Sequence, residues 1–413
     1  MRIIILVGDG MGDRPLKALG GKTPLEEAST PNMDEVAKHG ICGIMDPIAP
    51  GVRPGSAPSH LAILGYDPYK YYTGRGPFEA AGMGIRMEPT DVAFRCNFAT
   101  INEEMFIVDR RAGRDTEGLD KLAAPLNGLR FNSAPRIQVE FKNATAHRAV
   151  LILRGQGLSS NVSDTDPEKI NVPPLESRPL DDAPASALTA QIVNEFVQAS
   201  NDILNTHEVN RNRVAAGRMP ANYILVRGAG HPPKMHTLME MYGFNSSACI
   251  AEVSLVKGVA FYAGMEIIDV PGSTAGLDSD IRAIGREALE ALPNNELVLV
   301  NVKGSDVAGH DGNIEGKIEI IERIDEMVGD IWEEVNKEET YVVLTADHST
   351  PIEVKDHSGD PVPLAIAGPM VRVDEVTSFN ERSVAKGGLG RIRGVDLMPI
   401  LIDLVGIAKK FGA

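Results

Sequence analysis

Four stretches of the chain carry side chains that could hold cations or transfer a group between molecules. Asp306-Val-Ala-Gly-His310 sets a carboxylate and an imidazole four residues apart, close enough on a helical turn or tight loop to share one ion. Asp347-His348 sets the same groups side by side, with His357 nine residues on, and Asp9 follows the apolar run Ile3 to Val7. Mixed carboxylate and imidazole ligation suits two divalent ions such as Mn²⁺ or Zn²⁺, with positions left open for a substrate; a closed structural site would favour Cys and His. The fourth stretch supplies a hydroxyl: Ser56 lies in Arg53-Pro-Gly-Ser-Ala-Pro-Ser-His60, a Gly/Pro-shaped turn ahead of a short helical pattern. There it can face a helix N-terminus and a phosphate. Taken singly, each of these residues reads as an ordinary cap or turn residue. Their combination is what points to metal-assisted chemistry at a serine.

Something must bring residues so far apart in the chain to one place. Short apolar, β-branched runs break off just before the polar groups: Ile3 to Val7 before Gly8-Asp9, Leu297 to Val300 before Asn301 to Asp306, and Tyr341 to Leu344 before Thr345-Ala346-Asp347-His348. Each reads as a buried parallel strand. Ligands of open parallel sheets bind beyond the carboxyl ends of the strands, where these residues would stand. Between the strands lie amphipathic helical patterns, Ser279 to Leu292 and Ile314 to Val335, the second with Ile318, Ile321, Ile324, Met327, Val328 and Ile331 on one face.

The middle of the chain differs. It is punctuated by Pro173-Pro174, Pro179, Pro184 and Pro232-Pro233, with short strands such as Ala149 to Leu153 and Tyr223 to Val226 and one strong helix from about Ala185 to Ile203. The expected fold is therefore α/β, a mostly parallel sheet sandwiched by helices and built from residues 1–85 and 241–413, with a smaller α+β domain inserted at 86–240.

Composition narrows the partners. At 413 residues and 43% hydrophobic content the chain can fill two domains, and its net charge of −16 disfavours a nucleic-acid backbone as ligand. An anionic substrate would need a local cationic site to overcome that field. Cys42, Cys96 and Cys249 are widely spaced, so neither a disulfide framework nor a thiolate zinc site is expected, and a reducing cytoplasm fits best. No apolar run approaches the ~20 residues of a membrane span.

Gly8-Asp9-Gly10-Met11-Gly12-Asp13, Pro54-Gly55-Ser56-x-x-x-His60-Leu61, Asp306-x-x-Gly309-His310, Thr345-Ala346-Asp347-His348 and His357-x-x-x-Pro361-Val-Pro resemble the ordered motif set of the alkaline phosphatase superfamily. Within it the chain most resembles the archaeal type of cofactor-independent phosphoglycerate mutase, over nearly its whole length. His147-Arg148-Ala149-Val150-Leu151, Ser163-Asp164-Thr165-Asp166-Pro167 and Arg227-Gly228-Ala229-Gly230 carry the narrower resemblance. It implies an alkaline-phosphatase-like fold, one ion on Asp306, His310 and His357, a second on Asp9, Ser56, Asp347 and His348, and Ser56 as the residue phosphorylated. Mn²⁺ is the expected metal, with Zn²⁺, Co²⁺ or Mg²⁺ as alternatives, and no 2,3-bisphosphoglycerate is required. One departure stands out. Ala57 and Pro58 occupy positions where this subfamily usually has an acidic residue and a threonine, which puts the local turn in question and makes Ser59 a rival nucleophile.

The implied reaction interconverts 3-phosphoglycerate and 2-phosphoglycerate through a phosphoserine. Such an enzyme must keep water from the phosphoserine while glycerate turns over, and the inserted domain is the natural lid. Arg110, Arg111 and Arg114 in that domain suit the substrate's carboxylate and phosphate, with Arg148, Arg227 and Lys257 as further candidates. His147, Asp164 and Asp166 are candidates for proton transfer. His39, His207, His231 and His236 show no ligand spacing, and His60 orients the serine loop. Three rival readings are weighed against this one. A dinucleotide site at Gly8-x-Gly10-x-Gly12 fails because Asp13 stands where Gly or Ala is needed and Asp9 would face the pyrophosphate. A metal-dependent phosphatase, phosphopentomutase or transferase acting on another small alcohol shares the metal ligands, and a non-enzymatic metal-binding protein is disfavoured by the full ligand set.

Overall fold

A computed structural model of the chain describes all residues except Phe411 and Ala413. Its strands in chain order are β1 (Arg2–Gly8), β2 (Gly40–Asp46), β3 (Val92–Ile101), β4 (Ile107–Asp109), β5 (Gln138–Asn143), β6 (Arg148–Arg154), β7 (Tyr223–Gly230), β8 (Ser247–Ala251), β9 (Glu266–Ile268), β10 (Leu297–Val302), β11 (Thr340–Thr345), β12 (Val362–Ala367) and β13 (Gly390–Arg393). They fall into two compact units. The first comprises Met1–Tyr72 and Lys234–Ala413, the second Thr73–Pro233.

The first unit is built on a sheet of order β13-β2-β12-β11-β1-β10-β8-β9. β12 runs antiparallel to both its neighbours, and every other pairing is parallel. In β10 and β11 every residue is buried, as is all of β1 after Arg2, so the apolar runs are unbroken because helices cover both faces. One group of helices includes Ile281–Ala291, Pro31–Lys38 and Ile314–Glu334, the last packing against the other two. In another group, Ser254–Tyr262 and Gly394–Leu404 pack on the short helix Ser56–Ile63. The expected helix face holds at Ile321, Ile324, Met327, Val328 and Ile331, which are buried, whereas Ile318 is only partly so.

The second unit is an antiparallel sheet of order β4-β3-β6-β5, with β7 also paired to β3. The helix Pro184–Thr206 packs on β7, and Phe141 sits between Phe98 and Phe196 with ring centroids 5.9 and 5.4 Å away. The mostly parallel sheet interrupted by a smaller α+β unit is thus the architecture of the chain. The first division falls before residue 86, because the helix Arg75–Gly82 packs on β3, β6 and β7 and so belongs to the insert, and the second falls between Pro233 and Lys234. Gly76 makes that approach possible: a Cβ there would lie 2.1 Å from the Ala93 carbonyl oxygen. Among the described residues no helix is long and apolar enough to cross a membrane.

Candidate active site

Asp9, Asp306 and Asp347 stand just beyond the carboxyl ends of β1, β10 and β11, three neighbouring strands of the sheet. The turn after β1 is held closely against its neighbours. Gly10 has φ of +65°, and a Cβ on it would lie 2.6 Å from Thr350 Oγ1 and 2.7 Å from Asp306 Cβ, so only glycine lets the segments meet. Lys317, fully buried, donates to Gly12 O at 3.1 Å, Asp13 Oδ2 at 2.8 Å and Thr350 O at 2.9 Å, which uses all three of its protons. Breaking so enclosed a pair costs about 3–5 kcal/mol.

Two triads form there. Asp306, His310 and His357 can each offer a ligand atom within 4.8 Å of the others, and so can Asp9, Asp347 and His348. The rings of His348 and His357 stack at 3.6 Å, joining the triads. Ser56 Oγ lies 3.3 Å from His348 Nε2.

The hydrogen bonds on the far side of each imidazole fix which nitrogen is free. His310 Nδ1 faces the Lys355 carbonyl at 2.9 Å and His357 Nδ1 faces the Pro54 carbonyl at 2.7 Å. Carbonyls only accept, so both Nδ1 atoms carry the proton and both Nε2 atoms turn inward. Thr350 Oγ1 has its proton on Asp306 Oδ1, at 2.7 Å, and therefore accepts from His348 Nδ1 at 3.1 Å. His348 Nε2 is left as a lone pair 3.3 Å from Asp347 Oδ2 and 3.6 Å from Asp9 Oδ1. Lone pairs turned toward carboxylate oxygens repel unless a cation lies among them, and Asp347 Oδ2 is buried without a hydrogen-bond partner. The donor set therefore fits two divalent cations, with imidazole orientation fixed by outer partners.

Electrostatics agrees. Burial, then the neighbouring Asp9 charge, pushes the Asp347 carboxyl well above the usual range. Burial raises Asp306 too, but Lys303 and the imidazoles outweigh it and hold that carboxyl well below the usual range. Burial and the adjacent His357 hold His348 well below the ordinary imidazole value, so it stays neutral. Burial lowers His357, yet Asp306 more than reverses this and raises it, a demand for positive charge at Nε2 that a proton or a metal ion can meet.

Ser56 is the first residue of its helix, with Gly55 as N-cap, so it stands at the helix end where backbone N–H groups lack intrahelical partners. The Ala57-Pro58 departure is compatible with that position, because Pro58 falls in the first turn, where a helix needs no N–H from it. Ser59 Oγ is buried with no hydrogen-bond partner. His60 Nδ1 donates to the Ser56 carbonyl at 2.8 Å, and its Nε2 lies 3.3 Å from Asn301 Nδ2. Asn301 in turn donates to Asp9 Oδ2 at 3.1 Å, so His60 ties the serine turn to the end of β1.

A second cluster lies in the other unit. Arg110 grips Asp166 with two bonds of 2.9 and 2.6 Å, and Arg227 Nη1 stands 3.5 Å from the same carboxylate. Burial raises Asp166, but the Arg110 fork overrides it and the carboxyl is lowered. Asp164 accepts from Gly228 N at 2.8 Å, and burial raises its pKa. Burial, then Arg148, Arg111, Arg95 and Arg114, drives His147 down to about 3, so it is neutral at physiological pH and its Nδ1 has no partner. Ala112 and Arg114 hold φ of 46° and 59°, left-handed values that cost about 1–3 kcal/mol each and fix the turn that carries these arginines. Arg110, Arg111, Arg114, Arg148 and Arg227 are thus gathered in this unit, whereas Lys257 lies in the first unit and pairs with Asp269.

Four residues of these clusters escape the sequence motifs. Thr350 and Asn301 are polar groups whose roles appear only with the neighbours in place. Lys303 donates to Asp9 Oδ1 at 2.7 Å and approaches Asp306 Oδ2 at 2.6 Å. Arg95 had a readable signal, a charge within the apolar run Val92-Ala-Phe-Arg-Cys that opens β3. Its Nε has no hydrogen-bond partner.

Comparison with known proteins adds names to this geometry. A model of the family described as 2,3-bisphosphoglycerate-independent phosphoglycerate mutase matches residues 37–210. The 2,3-bisphosphoglycerate-independent phosphoglycerate mutase 1 of Methanothermobacter thermautotrophicus is 52% identical over 414 residues, covering 100% of both chains. The enzyme so named from Methanosphaera stadtmanae is 50% identical over 416 residues, again with 100% coverage of both. Among solved structures, a protein from Pyrococcus horikoshii superposes with a TM-score of 0.87 at 39% identity, covering 100% of this chain and 99% of that one. The cofactor-independent phosphoglycerate mutase of Thermoplasma acidophilum gives 0.69 at 38% identity, covering 98% and 100%.

Proposed function

The chain belongs to the 2,3-bisphosphoglycerate-independent phosphoglycerate mutases, a family of isomerases, and from this we propose that it interconverts 3-phosphoglycerate and 2-phosphoglycerate through a phosphoserine at Ser56. Asp306, His310 and His357 would hold one divalent ion, and Asp9, Asp347 and His348 with Ser56 Oγ the other, Mn²⁺ being the first choice for so oxygen-rich a set. Ions so held lower the pKa of a bound hydroxyl and neutralise charge on the transferring phosphoryl oxygens.

Ser56 Oγ attacks phosphorus, the bond from phosphorus to the substrate oxygen breaks, and that oxygen takes up a proton to leave glycerate. Glycerate then presents its other hydroxyl, whose oxygen attacks the phosphoserine and frees Ser56. The helix N-terminus at Ser56 supplies N–H groups for the phosphoryl oxygens. Arg110, Arg111, Arg114, Arg148 and Arg227 are the proposed partners of the substrate's carboxylate and phosphate, and Asp166 orients two of them. His147 and Asp164 are the proposed proton carriers. A bound anion would offset the surrounding guanidinium charge, which lowers His147 in addition to burial. Lys257, already paired with Asp269, is the weakest of the proposed substrate contacts.

The observation that carries this reading is Ser56 Oγ at 3.3 Å from His348 Nε2, at a helix start and beside two complete carboxylate–imidazole triads. A coupled assay for 2-phosphoglycerate, with Mn²⁺ supplied and no 2,3-bisphosphoglycerate, tests it. Ser56→Ala should abolish phosphoryl transfer and leave bound metal nearly unchanged. Free phosphate as the sole product would replace the mutase with a phosphatase, and retained turnover in the variant would move the nucleophile elsewhere.

A further inference from the structure

Lys303 is the residue whose position the proposed reaction leaves unexplained. It follows β10 and precedes the helix Gly304–Asp311, three residues before Asp306. Its ammonium contacts one carboxylate from each triad: Asp9 Oδ1 at 2.7 Å and Asp306 Oδ2 at 2.6 Å. Only 13% of the side chain is exposed.

This aim is built in, because the backbone beneath it is anchored. Lys303 N donates to Glu252 Oε2 at 2.6 Å, and Glu252 Oε1 accepts from Ala275 N at 3.1 Å and from Ser279 Oγ. Ser305 Oγ donates to the Asp9 carbonyl at 2.6 Å, which holds the same turn to the end of β1. A lysine free to choose would keep its ammonium in water. This one is directed inward by contacts at its own backbone and at the residue two positions on.

Charge explains what it can do there. Asp9, Asp306 and Asp347 place three carboxylates together, with imidazole nitrogens directed at them. Without a cation the Asp9 and Asp306 carboxylates oppose each other beyond the ends of β1 and β10. We propose that Lys303 is the site's resident counter-ion, a positioning residue that holds the two triads together when divalent ions are absent and competes with those ions for Asp9 Oδ1 and Asp306 Oδ2. The inference rests on the two-ion reading of the site. An ion that draws on either oxygen must share it with the ammonium or displace it, so the lysine weakens metal binding while keeping the unloaded site intact. The cost in affinity is exchanged for a site that needs no rearrangement of backbone to fill.

Two effects of opposite sign follow, a pattern that a packing role would not produce. In protein stripped by a chelator, Lys303→Met should lower Tm. In calorimetric titration with Mn²⁺ alone, the same variant should bind about tenfold more tightly or better, since two charge-assisted contacts no longer oppose the ion. Its Tm deficit should shrink on saturation with Mn²⁺. Lys303→Arg, which keeps the charge, should stay near wild type in both measurements. If Lys303→Met folds and binds Mn²⁺ no more tightly than wild type, the inference is overturned. If it does not fold when stripped, refolding restored by Mn²⁺ supports the counter-ion role, and failure to fold at saturating Mn²⁺ overturns it. Wild-type protein that takes up no Mn²⁺ would instead refute the two-ion reading itself.

Discussion

Thr350→Val tests the argument that fixes the inward lone pair of His348, with almost no change in side-chain shape. The Thr350 hydroxyl is fully buried, donates to Asp306 Oδ1 at 2.7 Å and accepts from His348 Nδ1 at 3.1 Å. Valine fills the same space but leaves a buried imidazole N–H without an acceptor and a carboxylate oxygen without a donor. Orphaning a buried polar group costs about 1–3 kcal/mol. Removing an outer partner of a metal-binding histidine typically weakens the site about 10–100-fold, or ~1.4–2.7 kcal/mol at 1.4 kcal/mol per factor of ten. The two routes agree in size. The Mn²⁺ concentration that half-saturates mutase turnover should therefore rise about 10–100-fold in Thr350→Val, while turnover at saturating Mn²⁺ changes much less. Thr350→Ser, which keeps the hydroxyl, should return most of the affinity. Turnover measured across a Mn²⁺ series buffered by a chelator gives both quantities. A Thr350→Val enzyme whose Mn²⁺ requirement lies within about twofold of wild type would show that His348 is not oriented through this hydroxyl.

Two further substitutions probe buried charged groups outside the proposed ligand sets. Arg95 faces Arg227 across the β3–β7 pair, and burial together with Arg75, Arg148 and Arg227 pulls its pKa well down against the opposing pull of Glu79, so its charge is costly to the fold and a bound anion would relieve it. Arg95→Met should therefore raise KM for phosphoglycerate by about tenfold or more while Tm holds or rises; a fall in Tm with unchanged KM would make Arg95 structural. Glu381 accepts from Asp13 N at 3.1 Å and Thr23 Oγ1 at 2.8 Å, and burial raises its pKa from 4.5 to about 7. A raised carboxyl favours the protonated form in the fold, so its contribution to stability is complete below pH 4.5 and is lost as pH climbs through about 7. The loss is bounded by ~3 kcal/mol and reduced by solvent at this partly exposed side chain. Glu381→Gln should flatten the decline in Tm between pH 5 and 8, and an unchanged slope would assign that decline to other groups.

The strands and long helices were legible because their residues answer to burial alone. Ile3 to Val7 and Leu297 to Val300 are uninterrupted apolar runs, and each became a strand covered on both faces. The boundary of the insert was less legible: Arg75–Gly82 carries no composition change, and it joins the second unit only through tertiary packing that Gly76 permits. In the site, Asp9, Asp347 and His348 come together, as do Asp306, His310 and His357, and these six stood out in the sequence by carboxylate and imidazole type and by the short spacings within each motif. Thr350, Asn301 and Lys303 did not, since a hydroxyl, an amide and an ammonium have many ordinary surface uses. Asn301 and Lys303 act on Asp9, hundreds of positions away, and Thr350 joins Asp306 to His348. Lys317 is a further residue that no motif marks. A lysine in an amphipathic helix reads as solvated, yet this one is fully buried and spends its protons on Gly12, Asp13 and Thr350.

The strand order, invisible in any one run, follows from the chemistry once the ligand set is accepted. Neighbouring strands lie about 4.7–4.9 Å apart, and paired catalytic ions lie about 3.5–4 Å apart. Carboxylates that serve such a pair are therefore most simply carried by the ends of adjacent strands. That requires β1, β10 and β11 to be contiguous, and β1 does lie between the other two. It also requires those ends to be level. The registers Gly8 with Val302 and Val7 with Thr345 bring them level to within a residue or two. The same contiguity crowds three carboxylates at one edge of the sheet, a charge the fold must tolerate whenever divalent ions are scarce. A lysine that leaves β10 at that edge, anchored through Glu252, reaches two of the three carboxylates without any longer-range support. On the proposed two-ion reading, the sheet topology that sets these carboxylates side by side also gives a cation of the chain its place among them.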